Sequence, residues 1–236
     1  MKKILFSLLI LAAINAGAQK TINDPNAEVR QVGSFHALQV SNAFEVILTQ
    51  ASEEGVAVSA NDKEDVAKIK TAVENNTLRI WFDDDKKWWP KNRKLKAYIS
   101  VKTLDLIKAG GAVNITIEGG LKVPSLKLEL SGASDLEGAL TVSGELDARL
   151  SGASDITISG TADKVTIDAN GASDVKAFDF TANTCFVDAS GASTVRITAD
   201  KEMSVKLSGA STVNYKGNAT IRDIKTSGAS SISRKS

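Results

Sequence analysis

Two adjacent tryptophans, Trp88 and Trp89, are the residues of this sequence whose type and spacing are best suited to binding. They lie in a charged segment, residues 83–94, which contains a proline and interrupts the strand pattern on either side. Exposed indole rings pack on the apolar face of a sugar or anchor a protein partner. The sequence therefore predicts Trp88 and Trp89 as ligand-binding residues. In the alternative, Trp81 points into the core and this pair folds back to cover it.

Three aspartates recur at one position of a repeated motif. Asp135, Asp155 and Asp174 would stand about 5 Å apart on neighbouring coils of a stacked structure. Such a column of carboxylates can hold Ca²⁺, which takes oxygen ligands. Later copies of the motif have Thr or Ser at this position, and hydroxyls cap turns but bind Ca²⁺ poorly. The pattern therefore favours a structural role, in which each Asp bonds to amides of its own turn, over a metal site.

The sequence shows few marks of a catalytic site. His36 is the single histidine, so a Ser-His-Asp triad would require it, yet no nucleophile-elbow motif accompanies it. The single cysteine, Cys185, falls where a small apolar side chain is expected, which predicts a buried and unreactive thiol. We therefore expect no catalytic residue and no cofactor.

A Ser-Gly-Ala-Ser motif recurs along the second half of the chain. A weaker copy begins at Gly110, and full copies, spaced by 18 to 20 residues, begin at Ser131, Ser151, Asn170, Ser190, Ser208 and Ser227. A repeat of this length predicts a solenoid in which each copy is one stacked coil. The glycine predicts a positive φ or a close backbone approach at a corner, and we expect the small alanine to let that corner pack tightly.

Between these motifs, apolar and polar residues alternate with the period of a half-buried strand. Aligning the copies gives one apolar column, Ile115, Leu136, Ile156, Val175, Val195, Val213 and Ile232. A second apolar column is Leu128, Ala148, Ile167, Val187, Val205 and Ile224. An outward column with mostly opposite neighbouring charges is Glu129, Arg149, Asp168, Asp188, Lys206 and Lys225. The predicted fold is all-β, a parallel β-helix with coils of about 19 to 20 residues.

The chain before the repeats is less regular. Ser41-Asn-Ala-Phe44 resembles a degenerate copy of the turn, which suggests that the solenoid already begins there. Helical spacing of apolar residues over 65–74 predicts a short helix or an irregular excursion. Alternation predicts strands at Phe44–Thr49, Val56–Ala60, Leu78–Phe82 and Leu95–Val101.

The first residues have the pattern of an export signal. Two lysines precede an apolar run, and Ala16-Gly-Ala18 fits cleavage before Gln19. The run is too short for a membrane span, and no later stretch approaches the roughly 18 apolar residues required. We expect a signal peptide over 1–18, an extension over 19–34, an irregular part of the solenoid over 35–109 and the regular repeat over 110–236. The location would be the periplasm, the outer surface or the extracellular space.

The charge balance bears on the partner. The chain has 29 basic and 28 acidic residues, and two of the basic ones lie in the leader. The mature protein therefore lacks the basic excess of a nucleic-acid binder. A cell-surface glycan or a protein is the expected partner.

Three sequence features together resemble one known family. These are the leader, the strands Ser41-Asn-Ala-Phe-Glu-Val46 and Asn76-Thr-Leu-Arg-Ile80, and the repeated turns. They are similar to the head GIN domain family of proposed adhesins, which is common in Bacteroidetes, over residues 35–232. The resemblance implies a right-handed parallel β-helix at the cell envelope or outside the cell. It carries over no catalytic residue.

Three function classes follow. The favoured one is a non-catalytic binding or adhesion module. The second is a carbohydrate-active β-helix enzyme of the polysaccharide lyase type, which needs paired carboxylates, or a Ca²⁺ site beside a base, grouped in a groove. Here the outward charges are spread along the coils, and the turns are too short to build groove walls. The third class is a structural envelope protein that stacks on itself.

Overall fold

The computed structural model describes residues 24–83 and 93–236, which form seventeen β-strands and one short helix. The strands are β1 Glu28–Arg30, β2 Ala37–Asn42, β3 Phe44–Gln50, β4 Gly55–Ala60, β5 Ile69–Glu74, β6 Thr77–Phe82, β7 Leu95–Val101, β8 Leu106–Gly111, β9 Asn114–Val123, β10 Leu126–Gly132, β11 Asp135–Leu150, β12 Asp155–Ala169, β13 Asp174–Ala189, β14 Thr194–Leu207, β15 Thr212–Lys216, β16 Thr220–Thr226 and β17 Ser231–Arg234, and the helix is α1 Lys63–Val66. Stacked parallel strands form a β-solenoid of about six turns, so the predicted fold class is confirmed. The predicted signal peptide lies outside the described residues.

Each regular coil has two faces. In β12, buried residues alternate up to Ala162, and the alternation then changes phase and resumes at Val165. This change marks a bend opposite the Ser-Gly-Ala-Ser corner. We call the sheet that follows each corner face A, which in β12 is residues 155–162, and the sheet that precedes the next corner face B, residues 164–169.

The corner glycines take a backbone conformation that other residues rarely adopt. Their φ angles lie between 72° and 108°. A Cβ on Gly152 would lie 2.5 Å from the carbonyl oxygen of Gly132, one coil earlier. The amide of Ala153 donates to the same oxygen at 2.7 Å. Positive φ and close backbone approach are both confirmed, and both exclude a side chain at this position.

The buried small residue of the corner is the second serine. Its hydroxyl donates to the carbonyl oxygen three residues earlier at 2.9 to 3.0 Å. These serines, at most 2% exposed, are Ser134, Ser154, Ser173, Ser193 and Ser211. The alanines beside them are exposed, so the serine and not the alanine is the residue inside the corner. A polar side chain is tolerated there because the turn supplies its acceptor.

Strand pairing confirms the predicted columns. Ile156 stands between Leu136 and Val175 in the stack. The first apolar column is at most 1% exposed from Ile115 to Val213. Ile224, at the end of the second column, is 46% exposed, because β16 pairs with β14 on one side and with no other described strand.

Near the N-terminus, the order of the coils in space differs from their order in the sequence. Strand β2 lies between β6 and β8, and β3 lies between β7 and β9, with all four pairings parallel. The coil built from residues 37–50 is therefore second in the stack, and the coil built from 77–101 is first. Antiparallel strands flank that first coil: β4 pairs with β7, β1 pairs with β4 and β5 pairs with β6.

Asn42 takes the place of glycine in the corner of the second coil. Its φ is 79°, and its carbonyl oxygen accepts the amide of Ala112 at 2.7 Å, as in the later corners. Its side-chain oxygen accepts the amide of Phe82 at 2.9 Å, which ties this corner to the end of β6. Asn is among the few other residues that visit this conformation. The degenerate turn predicted at residues 41–44 is therefore confirmed.

The four strands predicted in this region are confirmed as β3, β4, β6 and β7, whereas the predicted helix is largely wrong. Helix α1 ends at Val66, and Ile69–Glu74 is strand β5. Asn75 and Asn76 have φ of 49° and 59°. Two successive residues with positive φ form the tight turn that joins antiparallel strands. The Asn-Asn pair was therefore the missed hairpin signal.

Replacing Gly152 with Val is expected to destabilise the protein far more than replacing Ser154 with Ala. The valine must adopt a positive φ and push against Gly132, for a combined loss of roughly 3 kcal/mol. Loss of one turn hydroxyl costs about 1 kcal/mol. Gly33→Val is the control, because a Cβ on Gly33 meets no atom within 4 Å. Thermal unfolding compares the three variants, and equal shifts for Gly152→Val and Ser154→Ala would contradict the corner geometry.

The thiol of Cys185 is expected to resist thiol reagents in the folded protein and to react after denaturation. Cys185 is fully buried between Val165 and Met203 of the adjoining coils. Burial raises its pKa to about 12, so almost no thiolate forms at neutral pH. Maleimide labelling followed by mass spectrometry, with and without guanidinium, measures this protection. Rapid labelling of the native protein would show that the strand register is wrong.

Candidate functional site

The predicted ligand-binding residues Trp88 and Trp89 lie outside the described residues, so their role stays a prediction. Described residues on the two sides of this segment contact each other. Phe82 is buried, and the guanidinium of Arg93 lies 4.4 Å from the centroid of its ring. Arg93 also bonds to the carboxylate of Asp65 at 2.8 Å. The described residues on the two sides of this segment therefore lie close together.

Trp81 does not point into the core. It alternates with the buried residues Ile80 and Phe82 on β6, is half-buried and lies on the outer side of the strand. The guanidinium of Arg79 lies 5.7 Å from the centroid of a Trp81 ring. The expectation of a core position for Trp81 is therefore wrong, because the strand alternation directs its neighbours inward.

The aspartates Asp135, Asp155 and Asp174 form the predicted column. Asp155 accepts a hydrogen bond from Nζ of Lys176 at 3.1 Å, and Asp174 pairs with Arg196. These cations belong to the following coil, and the hydrogen bond to Asp155 raises the pKa of Lys176. In residues 24–83 and 93–236, no group of three or more His, Cys, Asp or Glu side chains is arranged to hold a metal ion. Two of the three carboxylates thus link adjacent coils.

His36 and Asp105 form a histidine–carboxylate pair, which a Ser-His-Asp hydrolase also contains. Nδ1 of His36 lies 2.7 Å from Oδ2 of Asp105, and both side chains are about half exposed. A hydrolase of this type also needs a hydroxyl or thiol nucleophile on the imidazole. Among the hydrogen bonds of the described residues, none joins His36 to a serine hydroxyl. The pair connects the start of β2 to the residue before β8.

An exposed aromatic ring lies on face B. Phe186 is 41% exposed, although it belongs to β13, which is paired on both sides. Its neighbours in register are Thr166 and Ser204, and Nζ of Lys164 lies 5.6 Å from its ring centroid. A shallow groove of about 310 Å³ surrounds the ring. We call this area the Phe186 surface; it comprises Asp147, Arg149, Asp168, Phe186, Asp188, Lys206, Asp223 and Lys225.

The charges of the Phe186 surface are largely compensated within it. Arg149 bonds to Asp147 on its own strand at 3.1 Å. Lys206 bonds to Asp188 at 2.7 Å, and this hydrogen bond raises the pKa of Lys206. Asp168 instead accepts a hydrogen bond from a side-chain amide, as described below. The outward charged column predicted from the sequence is thus real.

The same column continues beyond the Phe186 surface to Glu129. This carboxylate bonds to Lys127 at 2.6 Å and to Lys108 at 2.9 Å. Hydrogen bonds from Lys127 and Lys108 lower the pKa of Glu129 to about 2. The sequence predicted that the charges of this column pair between coils. Glu129 also pairs within its own strand, because Lys127 lies two residues before it on β10.

Face A carries a second exposed aromatic site on the same coil. Between Ala177 and Thr181, β13 contains three residues that have no counterpart in β14. In this bulge Phe180 is buried, whereas Phe178 is half-buried at a groove of about 540 Å³. The carbonyl oxygen of Phe178 accepts the hydroxyl of Thr198 at 2.7 Å. Bulges often re-aim side chains near functional sites.

Sequence reasoning missed both phenylalanines. Residue 186 lies two positions before Asp188 of the predicted outward column, so strand alternation directs it outward beside Thr166, where a large apolar side chain is out of pattern. That mismatch was the available signal. Phe178 could not be assigned from the sequence, because its position depends on a change of register.

Within the described ranges, no helix has both the length and the apolar character needed to cross a membrane.

Several solved structures share this fold. A protein named "putative adhesin" from Bacteroides fragilis is 23% identical, with a TM-score of 0.81 over 89% of this chain and 96% of its own. Another "putative adhesin", from Parabacteroides distasonis, is 18% identical, with a TM-score of 0.68 over 89% and 96%. A "putative lipid binding protein" from the same species is 19% identical, with a TM-score of 0.65 over 90% and 98%. No curated protein matches.

The family match covers most of the chain. The family described as "Putative auto-transporter adhesin, head GIN domain" matches residues 34–219, from before β2 to the residue before β16. The matched region includes every full copy of the motif, with its corner, except the last one, which begins at Ser227. This protein therefore belongs to the head GIN domain family.

Proposed function

We propose that this protein is a non-catalytic binding module that acts at the cell envelope or outside the cell, with the Phe186 surface as a contact area. The observation that carries the proposal is the exposed ring of Phe186 on an internal strand of a sheet. Burying a phenylalanine side chain is worth roughly 1.5 to 3 kcal/mol. A ligand that covers this ring would gain the part of that stabilisation that belongs to the 41% of Phe186 still exposed.

The backbone beneath the ring supports the proposal. The residues on either side of Phe186, Cys185 and Val187, are at most 3% exposed, and β13 is paired with β12 and β14. The ring therefore projects from a strand whose position is fixed by the core. A preorganised surface loses little conformational entropy on binding.

The carbohydrate-active enzyme is the weaker alternative. Asp168 and Asp188 are in register on neighbouring strands, but they lie on an open face. Glycosidases place two carboxylates on opposite sides of a bound sugar. The ion pair between Asp188 and Lys206 also occupies one of the two carboxylates. The name of the family, and the names of two of the three solved structures reported above, support an adhesin.

Export supports a partner outside the cytoplasm. The predicted leader over residues 1–18 and the adhesin names of the structural neighbours favour the cell envelope or the exterior. Trp88 and Trp89, which the sequence predicts as ligand-binding residues, would form a second contact area.

The purified protein is expected to bind saturably to a glycan array or to plates coated with collagen or fibronectin, and to release no reducing ends from polysaccharides. A binding module recognises its ligand without changing it. The array, the plates and a reducing-sugar assay measure the two properties. Release of reducing ends would favour the enzyme, and the absence of binding to every probe would contradict the proposal.

Changing Trp88 and Trp89 together to Ala is expected to abolish binding to the probe found in that screen, while circular dichroism and melting temperature stay nearly unchanged. The strand pattern does not require these side chains. If they instead cover the core, a loss of roughly 3 to 5 kcal/mol per Trp would lower the melting temperature sharply. Trp81→Ala is the control, because that indole lies on the outer side of β6.

A further inference from the structure

We infer that the Phe186 surface binds an uncharged polysaccharide, with one sugar ring packed on Phe186 and sugar hydroxyls bonded to Asp168 and its charged neighbours. This inference rests on the proposed binding function and names the ligand class. It follows from the shape, the charge and the hydrogen-bonding capacity of the surface.

The shape allows a flat ring to reach the phenylalanine. Its in-register neighbours on β12 and β14 are the small residues Thr166 and Ser204. The outward column that contains Phe186 and the one that contains Asp168 both continue from β11 to β16. The surface is therefore a strip along the stack. A strip of stacked coils suits a linear polymer better than a single small molecule.

The charge disfavours an anionic ligand. The groove contains four carboxylates, Asp147, Asp168, Asp188 and Asp223, and three cations, Arg149, Lys206 and Lys225. Each cation bonds to a carboxylate at 2.7 to 3.1 Å. An anion would have to displace one of these carboxylates from its cation. Asp168 bonds to none of the three cations, so it can accept a hydrogen bond from an uncharged ligand without any such exchange.

The hydrogen-bonding groups fit hydroxyls. Oδ1 of Asp168 accepts a hydrogen bond from Nδ2 of Asn170 at 2.6 Å. Oδ2 of Asp168 has no hydrogen-bond partner in the described part of the chain. A sugar hydroxyl can donate to this oxygen and accept from Arg149, its in-register neighbour on β11. Hydrogen bonds to ionised groups are the stronger ones, so a neutral ligand gains affinity without adding charge.

Affinity electrophoresis tests this inference with the full protein in gels that contain laminarin, dextran, mannan or xyloglucan, and with acidic alginate for comparison. At least one neutral polymer is expected to retard the wild-type protein, and added NaCl should leave the retardation unchanged. Phe186→Ala should raise the dissociation constant at least about tenfold. Asp168→Asn should raise it less, because the amide oxygen is a weaker acceptor.

Val29→Ala is the matched control. Val29 is 72% exposed on β1, at the other end of the stack, so its loss should change neither retardation nor stability. Circular dichroism and melting temperature should be the same for all variants, because both Phe186 and Asp168 lie on the outer side of face B.

The outcomes separate the ligand class from the proposed function. Retardation by alginate alone, lost in NaCl and in Phe186→Ala, would overturn the neutral ligand but leave the binding surface intact. Equal retardation of wild type and Phe186→Ala would overturn the site. No retardation in any gel, with binding retained on the array or the protein-coated plates, would overturn the polysaccharide. Failure of every assay would overturn the proposed function as well.

Discussion

In each regular coil, the corner amide donates to the carbonyl oxygen of the glycine one coil earlier, at 2.7 to 2.8 Å. A Cβ on the glycine just before the donating amide, such as Gly152 before Ala153, would occupy the same space, so this close approach requires a residue without a side chain there. This contact sets the position of every coil relative to the last one. The alternation of the strands then decides which side chains are buried.

This arrangement leaves the outer side chains free to vary. The interior is a set of matched columns, in which Cys185 and Met203 replace aliphatic residues at no loss of burial. Outside, carboxylates and cations link neighbouring coils, as Asp155 and Lys176 do. Phe186 follows neither pattern. It adds nothing to the core and makes no ion pair, which is why we propose it as a contact residue.

The sequence predicts the parts of this fold that repeat. Because period and alternation are local, the corner glycines, the columns and the burial of Cys185 follow from them. The order of the first coils does not, because β2 pairs with strands that lie about 40 and 70 residues later. The bulge at Phe178 is equally hidden, since it changes the register of one strand against its neighbour. The candidate site depends on how far each outward side chain is exposed. The sequence therefore identified the outward columns, but it did not identify the exposed ring of Phe186.

The insertion of β2 and β3 between later strands also determines how the chain can assemble. Parallel pairing in a solenoid usually lets each coil form on the one made just before it. Here residues 37–50 find both parallel neighbours only after residues 77–123 are available. Growth in the order of synthesis is therefore impossible for this coil, which must wait for the downstream strands. The segment that comes first in the sequence therefore completes its contacts last, after the strands on either side of it have formed.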